Sequence, residues 1–532
     1  MKALIIGAGP AAAGVALALS ADPDVEVRVI DVGGILEPDN DAARLRMAAT
    51  GPEEWSSSDV RIVSQMAQRT DGNSLPEKRN FGSDFPFHDF GQLEGVSGEG
   101  AVNTHVVSGA YGGFSTTWGA QTMVYSAASF NDWPFPRTEL EADYRAILSH
   151  IPYAGEQDDL AEYHPLWGDA DHLPPLSENA TKILDAYARH RVQVRRRGVI
   201  VGRARLALRA SACVSCGLCM TGCPYSYVYS AVQTFDQLIA EKKITYAGGY
   251  LALRLGENDG GPFVEVRNLA TGAIETMRAD KIFVACGAIG TTRLVGSSLD
   301  MFSEPIHFQE SPQFVMPFAS IRAHSAITQD NSFTLNQFNL LLPFDEAGKD
   351  LVQIHGYPYN DAMDDAVPQI LKTPAMRTIR AMVLKRLTVG LGYLPSWWTP
   401  GFDVTLERPA SSGDLAPVHV GPPAHDTGQS SKRLRAVNAR LLRVAPFLGV
   451  APVLPMVSLS APGKSYHFGG SFPHATNPSG RESDVLGRVD AWRSIHLVDA
   501  SVFPTVSATT FTLTIMANAH RIARRLLEDG HG

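Results

Sequence analysis

The sequence predicts an α/β fold: a Rossmann-like domain with a parallel sheet, joined to a second α+β domain built on an antiparallel sheet. Three observations predict it. The chain opens on a short apolar strand, a glycine turn and an apolar helix. Its middle, from about residue 300 to 455, alternates in the manner of strands from a separate sheet. And its 532 residues, 44% of them hydrophobic, suffice for a large core shared between two closely joined domains.

The first element is residues 3–6, ALII, an apolar run suited to a buried parallel strand. Gly7-Ala8-Gly9-Pro10-Ala11-Ala12 follows and leads into the helical run AAAGVALALS. Gly7 permits the tight turn, Gly9 lets the backbone approach a pyrophosphate, and Ala12 is small enough for helix–strand packing. The phosphate would sit on the helix N-terminus, among amides without helical partners. A second strand, VEVRVI, ends at Asp31, 22 residues after Gly9, where a carboxylate can accept hydrogen bonds from ribose hydroxyls. Strand, turn, helix, strand and acid fall in register, so dinucleotide binding is expected.

Residues 213–223 carry Cys213, Cys216, Cys219 and Cys223 at the spacing C-x2-C-x2-C-x3-C, with Pro224 next; these are four of the chain's five cysteines. That spacing is the one bacterial ferredoxins use to hold a [4Fe-4S] cluster, which is the favoured reading. A tetrathiolate zinc knot and paired disulfides fit the same residues and stay open. In two-cluster ferredoxins the fourth cysteine serves the other cluster, and no second set exists here, so Cys223 closes the same site or a ligand stays unidentified. Cys286, in KIFVACGAIG, reads as a buried small hydrophobe.

The net charge is −9 and dispersed, which argues against a nucleic-acid binder. MKALIIGAGP lacks the pattern of a secretory signal, and a cluster motif suits a reducing compartment, so a cytoplasmic protein is expected. No run of about 18 uncharged apolar residues predicts a membrane span. The nearest stretch, AMVLKRLTVGLGYLPSWW, carries Lys385 and Arg386 and is interrupted by Gly390, Gly392 and Pro395. It reads as a buried helix or an active-site lid, with an interfacial helix as the alternative.

Asp31-Val32-Gly33-Gly34 resembles the FAD-binding start of the glucose-methanol-choline (GMC) oxidoreductases. Gly112-Gly113-Phe114-Ser115-Thr116-Thr117-Trp118-Gly119 resembles that family's glycine-rich segment along the flavin, in the form found in pyranose-oxidase-like members. WPFPRTELEADY resembles the helix that follows it, and Lys281–Gly290 the strand and turn before the substrate domain. Val498–Pro504 and Thr512–Ala517 resemble the closing FAD motif. The resemblance covers about the first 300 and last 80 residues. It implies a discontinuous FAD-binding domain (1–300 and 456–532), with the cysteine segment inserted at about 205–230, and a substrate-binding domain at 301–455. Gly7, Gly9, Ala12, Asp31, Gly112, Gly113, Ser115, Thr117, Trp118, Asp499 and Thr512 are the implied cofactor contacts. Where pyranose-oxidase-like members place a histidine bonded covalently to FAD, this chain has Thr117, so noncovalent FAD is expected.

Ser465–Gly470 resembles the family's H-x-x-G segment, whose histidine faces the flavin. Alcohol oxidation needs a group to take the hydroxyl proton as the carbon gives up hydride, and an imidazole titrating near neutrality suits the task. His467 is therefore the catalytic candidate, with His474 a weaker one. The family's second active-site position, Asn or His, falls on Thr510, a hydroxyl that can orient a substrate or stand merely beside the flavin. No G-x-S-x-G elbow or H-E-x-x-H pattern supports a hydrolase.

The expected function is FAD-dependent oxidation of an alcohol, sugar or polyol, with electrons leaving through the cluster to a protein or quinone acceptor. A flavin and iron–sulfur reductase of a ketone or double bond is one alternative; a non-catalytic electron-transfer subunit is another. Helix SSKRLRAVNARLLRVAPFL carries a basic face, read as solvated, with docking of an acidic carrier or nucleotide as the alternative.

Overall fold

The computed structural model describes residues 1–65, 79–98, 107–321, 332–358, 373–384, 386–411, 413–423 and 429–530. Strand β1 (Lys2–Ile6) is buried at every position after its first, as a strand covered on both faces must be. Helix α1 (Pro10–Leu19) begins on a proline, whose missing N–H costs nothing there, and is buried almost all round. Strand β2 (Glu26–Ile30) alternates exposed and buried before ending in the core. β1 pairs in parallel with β2 and with Lys281–Val284. Ile244–Ala247 and Ile495–Leu497 add the two edges, also in parallel, to complete five strands. The parallel sheet thus draws on both ends of the chain, the discontinuity expected from sequence. The C-terminal helix Thr512–Gly530 lies so close to α1 that a Cβ on Gly14 would stand 2.3 Å from the Met516 carbonyl oxygen.

Between two strands of that sheet the chain makes a three-stranded antiparallel excursion, Tyr250–Asn258, Gly261–Asn268 and Ile274–Arg278. A second, seven-stranded antiparallel sheet runs Val450–Pro452, Gln313–Ser320, Leu387–Tyr393, Leu351–Pro358, Phe338–Pro343 and Ile200–Arg203, with Ser458–Leu459 pairing beside it. Alternation divides its two faces. Phe314, Met316, Phe338, Leu340, Val352 and Ile354 pack under helices Glu178–Arg195 and Gln429–Leu448. Gln313, Val315, Tyr357, Leu391 and Tyr393 point the other way, into a cavity shared with the parallel sheet. A further five-stranded sheet joins Phe468–Gly469, Ile306–Glu310, Phe402–Leu406, Val418–Gly421 and Val96–Gly98.

The stretch read as a buried helix, lid or interfacial helix divides differently. Arg377–Leu384 is helical, but Leu387–Tyr393 is an interior strand. Its glycines explain the change. A Cβ on Gly392 would meet the Phe314 ring at 2.0 Å, and one on Gly390 the Met316 carbonyl oxygen at 2.6 Å. Lys385 lies outside the described residues, as do 66–78 and 99–106. Among the described residues no helix is long and apolar enough to cross a membrane. On helix Gln429–Leu448, Arg433 and Arg440 lie over the rings of Trp398 and Phe344, while Lys432 and Arg435 face outward.

Candidate functional site

A cavity of about 870 Å³ runs from the end of β1 to the inner face of the seven-stranded sheet. Its floor is the first glycine turn. Gly7 has φ +101°, and a Cβ there would stand 2.4 Å from the Ala285 carbonyl oxygen, so only glycine fits. Its N–H donates to the Ile30 carbonyl (2.8 Å), tying turn to sheet. At Gly9 the reverse holds: no atom lies within 4 Å of where a Cβ would stand. Gly9 is also the N-cap of α1, and no side chain caps that helix. The helix start therefore presents unpartnered amides beside an open cradle. Ala12 is fully buried and does not line the cavity.

Asp31 stands at the end of β2 with its Oδ2 buried and lacking a partner. Burial pushes its carboxyl up to about 7, against backbone amides of Val32, Gly33 and Ala8 that pull it down. A buried acceptor without a donor at this point fits a hydroxyl-bearing ligand. Uncapped helix start, open Gly9 cradle and unmet Asp31 acceptor together fit a dinucleotide.

The second glycine segment touches the first. Gly113 (φ +57°) approaches so closely that its Cβ would lie 3.2 Å from the Gly9 Cα, and the Gly112 N–H donates to the Ala8 carbonyl (3.1 Å). Ser115 Oγ donates to the Gly112 carbonyl (2.6 Å) and accepts the Ala231 N–H (2.9 Å), so it braces the segment while lining the cavity. Thr117 and Trp118 also line it, the indole N–H donating to the Tyr229 carbonyl (2.7 Å). From the C-terminal segment come Asp499, Phe511 and Thr512. Asp499 is buried, accepting from the Thr291 hydroxyl and from the Ser501 N–H (2.9 Å); burial raises its carboxyl pKa. Cys286, read as a core hydrophobe, packs partly on the core but also lines the cavity beside Gly287.

His467 lines the far end. Its ring stacks on Tyr393 at 4.5 Å and 21°, with Phe511 at 5.0 Å. Its Nδ1 is buried without a partner. Burial pushes the imidazole down to about 4, so it is neutral at pH 7 and able to accept a proton. Thr510 is not a wall of the cavity: its hydroxyl donates to the Gln121 carbonyl (2.9 Å). His474 is a core residue. Its Nδ1 lies 2.6 Å from the Asp484 carbonyl, its Nε2 3.2 Å from Asn518, and Trp133 and Phe135 pack on it.

The cysteine loop runs from the turn Ala210–Ala212 to helix Ala231–Ala240. Leu218 packs against Ala43, Met47 and Val63 of the helices Pro38–Ala48 and Ser57–Val63, and the Thr221 carbonyl accepts the Phe81 N–H (2.5 Å). Met220 reaches the cavity wall. Burial raises Cys216 to about 12 and Cys223 to about 11, and the thiols lie near enough to raise one another. Yet among the described residues no three His, Cys, Asp or Glu side chains are gathered to hold a metal ion. For the expected [4Fe-4S] site the support is therefore the cysteine spacing alone.

Sequence reading missed the wall supplied by Gln313, Val315, Tyr357, Leu391 and Tyr393. Alternation marked their strands, but only long-range pairing decides which face meets the cavity.

No family model and no curated protein matches the chain. Among solved structures, pyridoxine 4-oxidase from Mesorbium loti is similar over 99% of both chains, with a TM-score of 0.58 and 16% identity. The likeness shows the fold: a parallel sheet and antiparallel sheets, arranged as the GMC resemblance led us to expect.

Proposed function

We propose that this protein is an FAD-dependent oxidoreductase of GMC type that oxidises an alcohol, with His467 as the base. The observation that carries the reading is a single cavity reaching from the Gly9 cradle and Asp31 to a neutral, half-buried histidine, His467. Bound FAD would supply a two-electron acceptor for the alcohol carbon. The α1 N-terminus with Gly7 and Gly9 would hold the pyrophosphate, and Asp31 the ribose hydroxyls. Gly112, Gly113 and Ser115 shape the segment along the flavin, and Thr117, Trp118, Asp499 and Thr512 complete the walls around it. With threonine at 117, attachment is noncovalent.

His467 takes the substrate hydroxyl proton on its imidazole. Tyr393 and Phe511 hold the ring in place and cover its faces from water. Thr510, bonded to Gln121, braces the backbone behind the site. Tyr357, Leu391, Tyr393 and Phe511 make the substrate end apolar and aromatic, which suits an alcohol on a flat or apolar body better than a free polyol. The hydroxymethyl pyridine class indicated by the neighbour's name fits such walls.

The test is anaerobic bleaching of bound FAD across a panel holding pyridoxine, benzyl alcohol, primary alkanols and sugars. An alcohol that bleaches the flavin supports the reading; a flavin left oxidised by the whole panel sinks it. For the cysteines the spacing alone supports a cluster, and with it a protein or quinone acceptor. Iron and acid-labile sulfide, about four of each per chain after anaerobic purification, would establish it; the absence of both would remove it.

A further inference from the structure

The loop that carries His467 hangs on one buried carboxylate. Glu310 ends the strand Ile306–Glu310 and is 1% exposed. Its Oε2 accepts the Gly463 N–H and its Oε1 the Ser465 N–H, each at 2.9 Å. Around this grip the backbone is laced to the same strand end. The Ser465 hydroxyl donates to the Ser311 carbonyl (2.7 Å) and accepts the His467 N–H (3.2 Å). The Ser311 N–H donates to the His467 carbonyl (2.8 Å), and Phe468 pairs opposite Glu310. The Thr399 hydroxyl donates to the Glu310 carbonyl (2.8 Å), fixing the strand end from a third direction.

The choice of side chain is informative. Burial pushes the Glu310 carboxyl up to about 7, and the two backbone amides are all that offset it. No cation is ion-paired with it among the described residues. A buried, unpaired carboxylate is costly, and glutamine, of nearly the same shape, avoids the charge. But an amide offers one acceptor oxygen and turns a donor NH2 toward the second N–H. Only a carboxylate on a two-carbon stem grips both amides. The segment it grips, residues 461–467, supplies Ala461, Lys464, Tyr466 and His467 to the cavity wall.

We propose that Glu310 is a positioning residue: its carboxylate clamps the backbone at Gly463 and Ser465 and thereby sets the place of His467 in the cavity. The inference rests on the role given to His467 but has a readout independent of it.

The experiment is hydrogen–deuterium exchange on the FAD-loaded full chain, followed in the peptide 460–468, for wild type, Glu310→Gln, Glu310→Ala and Glu310→Asp. Aspartate keeps the buried charge but is one methylene too short for the two-point grip. In all three variants exchange in 460–468 should rise about tenfold or more, while α1 and the FAD content stay as in wild type. With pyridoxine as probe, the rate constant for flavin reduction should fall about tenfold, with the half-saturating concentration unchanged. Wild-type exchange in Glu310→Gln or Glu310→Asp overturns the clamp. So does a rise spread over the whole chain with loss of FAD, which marks a purely structural role. If pyridoxine fails to reduce wild-type FAD, the exchange result decides the clamp alone and the substrate reading fails separately.

Discussion

Tyr393 and His467 come from different sheets and meet ring on ring, 4.5 Å apart and 21° from parallel. Tyr393 closes the strand Leu387–Tyr393 of the seven-stranded sheet, and His467 precedes the short strand Phe468–Gly469. The contact makes the candidate base a product of how the two sheets pack. It also shields the imidazole from solvent, and that desolvation lowers its pKa.

The consequence is an unusual pH profile. A histidine at its ordinary pKa of about 6.5 would lose its basic form below that pH. His467 is pushed down to about 4, so the neutral form persists well into acid. Flavin reduction by substrate should be level from about pH 5 to 8 and fall only on approach to about 4. Anaerobic stopped-flow traces across that range check it, and a break near 6.5 would refute the assignment. His467→Ala should lower the reduction rate by about 10²–10⁴-fold at every pH, leaving bound FAD in place.

At the other end of the cavity, Asp31 Oδ2 is an acceptor with no donor. Filling it with a ribose hydroxyl forms a charge-assisted hydrogen bond, worth about 1.5–3 kcal/mol. Asp31→Ala should therefore weaken FAD binding by roughly 10–150-fold. Because its carboxyl sits at about 7 before ligand binds, wild-type affinity should also rise as pH increases from about 6 to 8, and that slope should vanish in the variant. Titration of apoprotein with FAD, followed by flavin fluorescence, measures both.

Legibility divides along the same line. Gly7, Gly9 and Asp31 were readable because strand, turn, helix and acid are contiguous, and their geometry follows from local backbone rules. His467 was readable through its resemblance to a known segment. His474, a few residues on, looks similar in sequence, and only the fold shows it engaged with Asp484 and Asn518. Thr510 occupies a familiar position yet turns its hydroxyl to Gln121. Tyr393 and Glu310 carried no motif. Their roles arise from the pairing of strands distant in sequence, which periodicity predicts as elements but not as neighbours. For the four cysteines, spacing was legible and convergence was not.

Those cysteines give a prediction of their own. Burial raises Cys216 to about 12 and Cys223 to about 11, so at pH 8 few of either are thiolate. A free cysteine titrates at about 8.5 and is roughly a quarter ionised there. Metal-free, reduced protein should therefore alkylate at these two positions at least about 100-fold more slowly than glutathione, speeding up steadily toward pH 10. Mass-spectrometric mapping of iodoacetamide adducts after chelator treatment reads the rates. Rapid labelling at pH 8 would show that the thiols are neither buried nor suppressed.

The two glycines of the first turn separate folding from cofactor binding. Gly7 carries φ +101°, and a Cβ there would strike the Ala285 carbonyl oxygen at 2.4 Å. Neither the left-handed backbone nor the sheet can yield cheaply, so Gly7→Ala should destabilise the fold itself. Gly9 has φ −88°, ordinary for alanine, and no protein atom lies within 4 Å of its would-be Cβ. Gly9→Ala should therefore leave the melting temperature of the apoprotein within about 2 °C of wild type, the change being strain-free. The added methyl would nonetheless occupy the space where a phosphate must approach the backbone, and FAD affinity should fall at least about tenfold. Thermal unfolding of the apoproteins and FAD titration of each variant give the four values needed. If Gly9→Ala bound FAD like wild type, the phosphate could not lie over this turn, and the cofactor's orientation in the cavity would have to be reversed.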